Sequence, residues 1–107
     1  MHQEQDVEEA IRIVLMTRVG ERPMRPEFGS RLHTLVFDPN DASTAGLARR
    51  YVMEALGRWE PRIDVTEVTA EPNLENPSCL MVGIKYRILA TNSHRNLVFP
   101  FYVIPGE

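Results

Sequence analysis

Glu60 and Arg62 stand on either side of Pro61 in the segment RWEPRIDV, residues 58–65. The residue before a proline is pushed toward extended geometry. In an extended chain, residues two apart point the same way, about 6.6 Å apart at roughly 3.3 Å per residue. The tripeptide therefore presents one negative and one positive group to a single side, with Pro61 holding their spacing. A helical pair at that separation does not share a face. The plainer alternative is a helix stop with two solvated charges.

Catalysis by this segment would need more than one carboxylate. A glycosidase uses two facing one cleft, and Glu54, Asp64 or Glu67 could join Glu60. With 15 acidic residues in the chain, such pairs arise by chance. His2, His33 and His94 lie far apart, and none has a histidine or cysteine at ligand spacing, so no zinc site is expected. Cys79, the only cysteine, reads as a buried structural residue and excludes an internal disulfide. GERPMRPEFG, residues 20–29, carries two glycines at neither the phosphate-loop nor the dinucleotide spacing. The reading is a non-enzyme with no catalytic residue, no metal site and no cofactor.

A chain of 107 residues makes one domain, 1–107, with a single core. Its 43% hydrophobic and 25% charged residues are the balance of a globular protein, and a net charge of -3 favours neither nucleic acid nor anionic lipid. No apolar run approaches the roughly 18 residues that cross a bilayer, so no direct membrane insertion is expected. The acidic start MHQEQDVEEA lacks the pattern of a signal peptide, which predicts a cytoplasmic location after synthesis. Every basic residue but Lys85 is an arginine, the side chain suited to bidentate pairing with carboxylates.

Two helices and three strands can position these groups. In residues 6–18, Val7, Ala10, Ile11, Val14 and Leu15 repeat at helical spacing. Asp6 can cap this helix with Glu9 in the capping-box place, Glu8 and Arg12 form a favourable pair, and Gly20 is a stop. A second helix is expected over 41–59, capped by Asp41, with Ala45, Ala48, Val52, Ala55, Leu56 and Trp59 on its apolar face. Residues 62–70 are rich in β-branched side chains, but Val68 falls out of phase with Ile63 and Val65, which predicts a bulge near Glu67. Residues 79–90 alternate cleanly, with Leu80, Val82, Ile84, Tyr86 and Ile88 on one side. The simplest closed arrangement is α+β: two amphipathic helices packed on a three-stranded antiparallel sheet, with a long proline-held loop between the helices.

The last strand, NLVFPFYVI over 96–104, is apolar on both faces around Pro100. A proline there places the strand at a sheet edge or a bulge. An apolar edge is an aggregation hazard unless something covers it, so a partner strand is one reading and simple partial exposure the other. The loop segment RVGERPMRPEFGSR, residues 18–31, holds four arginines against two glutamates and one aromatic, Phe28. That is a weak platform for nucleic acid. It reads better as an ordered loop anchored by Phe28 and open to a protein partner.

Three segments, TRVGERPMRPEFGSRL (17–32), WEPRIDV (59–65) and NLVFPFYV (96–103), occur in this order and spacing. Together they make the chain resemble the family of phage baseplate assembly protein W. That family includes lysozyme-like wedge proteins of contractile phage tails and the matching baseplate component of type VI secretion systems and extracellular injection particles. The chain departs from the pattern at Ser30 and Arg31, where small residues are commoner. The resemblance implies a structural baseplate component that docks on wedge proteins and initiates the contractile sheath, whose first ring extends its sheet by strand exchange. Tube and spike or hub proteins are further partners it implies, with about six copies per baseplate from the family's symmetry. On that reading Glu60, Pro61, Arg62, Arg22 and Arg25 meet the wedge. Leu97, Phe99, Pro100, Phe101, Tyr102 and Val103 form the sheath edge. An anti-adaptor of the same fold, which binds a response-regulator adaptor, is the alternative.

Overall fold

Helix α1 spans Gln3–Met16 and α2 spans Ala42–Trp59 in the computed structural model, which describes residues 3–103. His2 and Ile104, both named above, lie outside the described residues. In α1, Val7, Ile11, Val14 and Leu15 are buried, as their spacing predicts. The helix starts earlier than expected, because Gln3, Glu4 and Gln5 are good helix formers. Asp6 is therefore not the cap; it sits in the first turn with Glu4, where negative charge favours the helix dipole. Glu8 and Arg12 pair at 3.4 Å. The helix ends at Met16, before the expected Gly20, and the Thr17 hydroxyl donates back to the Ile13 carbonyl at 2.6 Å.

Asp41 caps α2 as anticipated, its carboxylate accepting the Thr44 amide at 3.0 Å. The buried face is mostly small: Thr44, Ala45, Ala48, Val52, Ala55 and Leu56. Such residues let a helix backbone lie close to what it packs on, here chiefly the first strand.

Strands β1 (Ile63–Asn73), β2 (Asn76–Ile88) and β3 (Ser93–Tyr102) form one antiparallel sheet in the order β1-β2-β3. The fold is α+β, two helices on a three-stranded sheet. As the central strand, β2 buries Leu80, Val82, Ile84, Tyr86 and Ile88 under the helices. The register shifts between Val65 and Glu67, where the bulge was expected. One extra residue, Thr66, restores phase: Val65 lies opposite Tyr86 and Val68 opposite Ile84, both on the helix side. All three strands differ from the expected bounds by a few residues. β1 runs on through Glu71, Pro72 and Asn73 because β2 offers a partner to each, and β2 and β3 each start three residues earlier than expected.

Parity in the sheet shows which main-chain groups remain open. The Val103 amide donates to the Ser78 carbonyl at 2.8 Å, and the β3 register is unbroken. Successive residues of a strand turn their amide and carbonyl to opposite sides. Residues 93, 95, 97, 99, 101 and 103 therefore bond to β2, while His94, Asn96, Val98, Pro100 and Tyr102 face outward. Pro100 sits on the edge strand with its missing donor on the open side, as strand chemistry requires. Pro72 of β1, opposite Leu80, does the same on the other edge.

The segment between the helices is more ordered than a plain loop. Arg18 and Ser30 make a parallel bridge, and a short 3-10 helix spans Leu32–Leu35. Ser30, at one of the two positions that depart from the family pattern, donates its hydroxyl to the Leu15 carbonyl at 2.9 Å and accepts the Leu32 amide. Gly29 adopts φ +119, and a Cβ there would meet the Thr17 carbonyl oxygen at 2.4 Å. Gly29→Ala is expected to destabilise the fold by about 1–3 kcal/mol in urea unfolding, since both backbone strain and a main-chain clash oppose it.

Tyr86 carries the clearest pH signature. Burial holds its phenol above the ordinary 10.0, the nearby Glu8 adds to the rise, and Arg95 works against it. A raised folded-state value favours the protonated fold, so this contribution is complete below about pH 10 and is lost as pH climbs through the higher folded value. The thermal midpoint is expected to fall above pH 10, and Tyr86→Phe to fall less steeply over the same range.

Candidate functional site

Glu60 ends α2 with φ -128 and ψ 81, the extended geometry that Pro61 demands. Its amide still donates to the Leu56 carbonyl at 3.0 Å. The two charged side chains do share a side, but they face each other. Arg62 Nε donates to Glu60 Oε2 at 2.9 Å and Nη2 donates to Oε1 at 2.9 Å, a bidentate fork. Glu60 is only 4% exposed and Arg62 43%.

This corrects the expectation that both groups reach toward a partner. A carboxylate this buried needs a partner within the fold, and the guanidinium two residues on supplies it with ideal geometry. The hydrogen bond to Glu60 raises Arg62 above its ordinary value; burial opposes this, and the charges of Glu60 and Asp6 add to it. The raised value keeps the guanidinium charged, and the stability linked to it is lost only as pH climbs through that strongly alkaline folded value. Glu60 is thus a structural clamp, while Pro61 and the outer edge of Arg62 remain accessible. Glu60→Ala is accordingly expected to cost the fold about 1.5–3 kcal/mol in urea unfolding, the range for a hydrogen-bonded charge.

Trp59 connects this clamp to the proline-held loop. Phe28 meets Trp59 edge to face, with ring centroids 5.2 Å apart and planes at 62°. Arg22 stacks over Phe28 at 4.5 Å, and Arg25 over Trp59 at 5.8 Å. Arg58 also lies over Trp59 and pairs with Glu27. The fold thereby gathers Arg22 and Arg25 around Phe28 and Trp59, and Trp59 directly precedes the Glu60–Arg62 clamp in the chain. Stacking occupies the face of a guanidinium and leaves its in-plane donors free. Among the described residues, neither Arg22 nor Arg25 has a carboxylate partner.

Sequence reasoning named Phe28 as the loop anchor and Arg22 and Arg25 as contacts, but missed that Trp59 joins them. A cleft of about 440 Å³ lies between the loop and α2, walled by Val19, Gly29, Arg31, Tyr51, Glu54 and Trp59. Arg31, the other departure from the family pattern, pairs with Glu54 at 3.1 Å and stacks over Tyr51. The available signal was a lone tryptophan directly before the Glu-Pro-Arg segment.

The second surface is β3. Its two faces are not equivalent, contrary to the uniformly apolar pattern. Leu97, Phe99 and Val103 are buried and Phe101 is half-buried, all bonded through their main chain toward β2. Their side chains therefore lie on the helix side of the sheet, where Leu97 and Phe99 belong to the core. Among the six residues assigned to this edge, only Pro100 and Tyr102 turn outward, joined by Val98, which was not named. Val98 is 53% and Tyr102 60% exposed. Beside them on the same sheet face, β1 and β2 carry the pairs Glu67–Lys85 and Asp64–Arg87.

The carboxylates that might have joined Glu60 are each paired elsewhere: Glu54 with Arg31, Asp64 with Arg87 and Glu67 with Lys85. Among the described residues, no three histidine, cysteine or acidic side chains gather as a metal site.

A family model described as baseplate wedge protein gp25 matches residues 1–93. The chain belongs to this family. The baseplate wedge protein gp25 of Enterobacteria phage T4 is 33% identical over 76 residues, covering 71% of this chain and 57% of the phage protein. The chain thus matches little more than half the length of that relative. A crystal structure of a candidate tail lysozyme from Geobacter sulfurreducens superposes with a TM-score of 0.87 at 46% identity, over 95% of this chain and 92% of that one. Two baseplate structures share the fold at lower identity. The postcontracted baseplate of pyocin R2 gives a TM-score of 0.60 at 24% identity, over 92% of this chain and 83% of that one. The anti-feeding prophage baseplate gives 0.64 at 21%, over 92% and 68%. Wedge proteins of this family are structural parts of contractile, phage tail-like injection machines. The family match stops at residue 93, where β3 begins.

Proposed function

We propose that the chain is a non-enzymatic baseplate component that docks on wedge subunits through its arginine–aromatic patch and starts the contractile sheath at β3. The observation that carries this reading is the uncovered β3 edge, with outward main-chain groups and the exposed apolar side chains of Val98, Pro100 and Tyr102. An edge of that kind is suited to accept a strand from another chain. At its other surface, Arg22 and Arg25 are held in place by Phe28 and Trp59, so less side-chain entropy is lost when they bind carboxylates. Glu60 acts through Arg62, fixing the segment that carries Pro61 and Trp59.

Particles imaged from producing cells separate the two roles. Loss of the patch is expected to remove the protein from baseplates, and loss of the edge to leave baseplates without sheath. If edge variants carry normal sheath, the initiator role falls.

A further inference from the structure

Beside the outer half of β3, the end of α1 and the 3-10 helix leave a groove of about 230 Å³. Its floor and walls are Leu15, Leu32, Val36, Phe99 and Phe101, with Met16 at the rim. Met16 is 69% exposed and extends the apolar lining to the surface. Two polar features break this apolar lining. Arg18 has no carboxylate partner among the described residues, and the buried Nδ1 of His33 lacks any hydrogen-bond partner. A buried polar atom without a partner calls for a physical explanation.

We propose that this groove is the specificity pocket for the strand that adds to β3, taking an apolar side chain with an acidic residue next to it. The inference rests on the strand-addition reading above. A strand laid along β3 alternates its side chains between the two sheet faces. Those on the helix side, level with Phe99 and Phe101, enter the groove. Cross-strand neighbours sit about 4.5–5.5 Å apart, so an incoming apolar residue meets Phe99 and Phe101 directly. Arg18 supplies the complementary charge for a neighbouring Asp or Glu. Pro100 contributes register. With no donor there, the incoming strand finds open amides at Asn96, Val98 and Tyr102 but none between the last two. Main-chain bonds alone are tolerant of sequence, whereas pocket and missing donor together select one segment in one register.

The test images particles from producing cells that carry Met16→Glu with Arg18→Glu, next to cells that carry Val98→Asp with Tyr102→Asp. All four positions are exposed, and unchanged thermal midpoints of the purified chains would show that the fold is intact. Sheathed particles are expected to fall at least tenfold in both, with baseplates still formed. Normal sheath on the groove variant and loss on the edge variant would overturn the pocket while leaving strand addition in place. Normal sheath on both would overturn the two together, as would loss on the groove variant alone. A groove variant lacking baseplates would also overturn the pocket, since the defect would then lie upstream of the sheath.

Discussion

Reversing the charge of Arg22 and Arg25 to glutamate is expected to remove the protein from assembled baseplates and leave its fold intact. Both side chains are exposed, and their contacts within the chain are stacking interactions over Phe28 and Trp59. Exposed cation–π contacts contribute about 0.5–1 kcal/mol each, so the unfolding free energy changes by about 1–2 kcal/mol at most. At an interface the effect is larger. A guanidinium that loses its carboxylate partner costs 2–5 kcal/mol or more when the pair is desolvated, and reversal adds repulsion. Two such losses weaken docking by roughly a thousandfold or more, at one factor of ten per 1.4 kcal/mol. Immunoblots of purified particles against whole-cell lysate read the effect directly. Wild-type amounts in particles would exclude these arginines from the docking surface.

A second large effect is expected at β3. Val98→Asp with Tyr102→Asp places two carboxylates on the exposed face of the edge strand, where an added strand would bring neighbours of its own. Each apolar cross-strand pair contributes roughly 0.2–1 kcal/mol, and an unpaired charge covered by a partner costs at least 1–3 kcal/mol more. Together the two weaken strand addition by about 3 kcal/mol or more, which is over a hundredfold. The inner residues are poor tests, for Phe101→Asp would strike the half-buried side of the core as well as the edge. Electron microscopy should find baseplates with bare tubes.

Much of this framework was legible in the chain itself. The alternation of β2 is clean because that strand is central and packs one face under the helices. The phase slip at Val68 marked the bulge because one extra residue puts both Val65 and Val68, each half-buried, on the helix side. Asp41 and Pro100 were readable for the same reason: each has a local requirement, a cap or a missing donor, that sequence alone states. What stayed hidden depends on distant contacts. No local signal extends β1 through Glu71–Asn73; only the presence of β2 beside it does. Spacing placed Glu60 and Arg62 on one side, but burial decides whether two such charges face water or each other. Phe28 and Trp59 are far apart in sequence, so the platform that orders Arg22 and Arg25 exists only once the loop has folded back on α2. Likewise, the division of β3 into a core face and an open face required the register with β2.

The central claim concerns one strand, and a reconstruction of the assembled baseplate with its first sheath ring tests it most directly. The account predicts a strand from another chain beside β3, bonded to the outward groups of Asn96, Val98 and Tyr102 and unpaired opposite the nitrogen of Pro100. A sheet that still ends at β3 in a sheathed particle would contradict it.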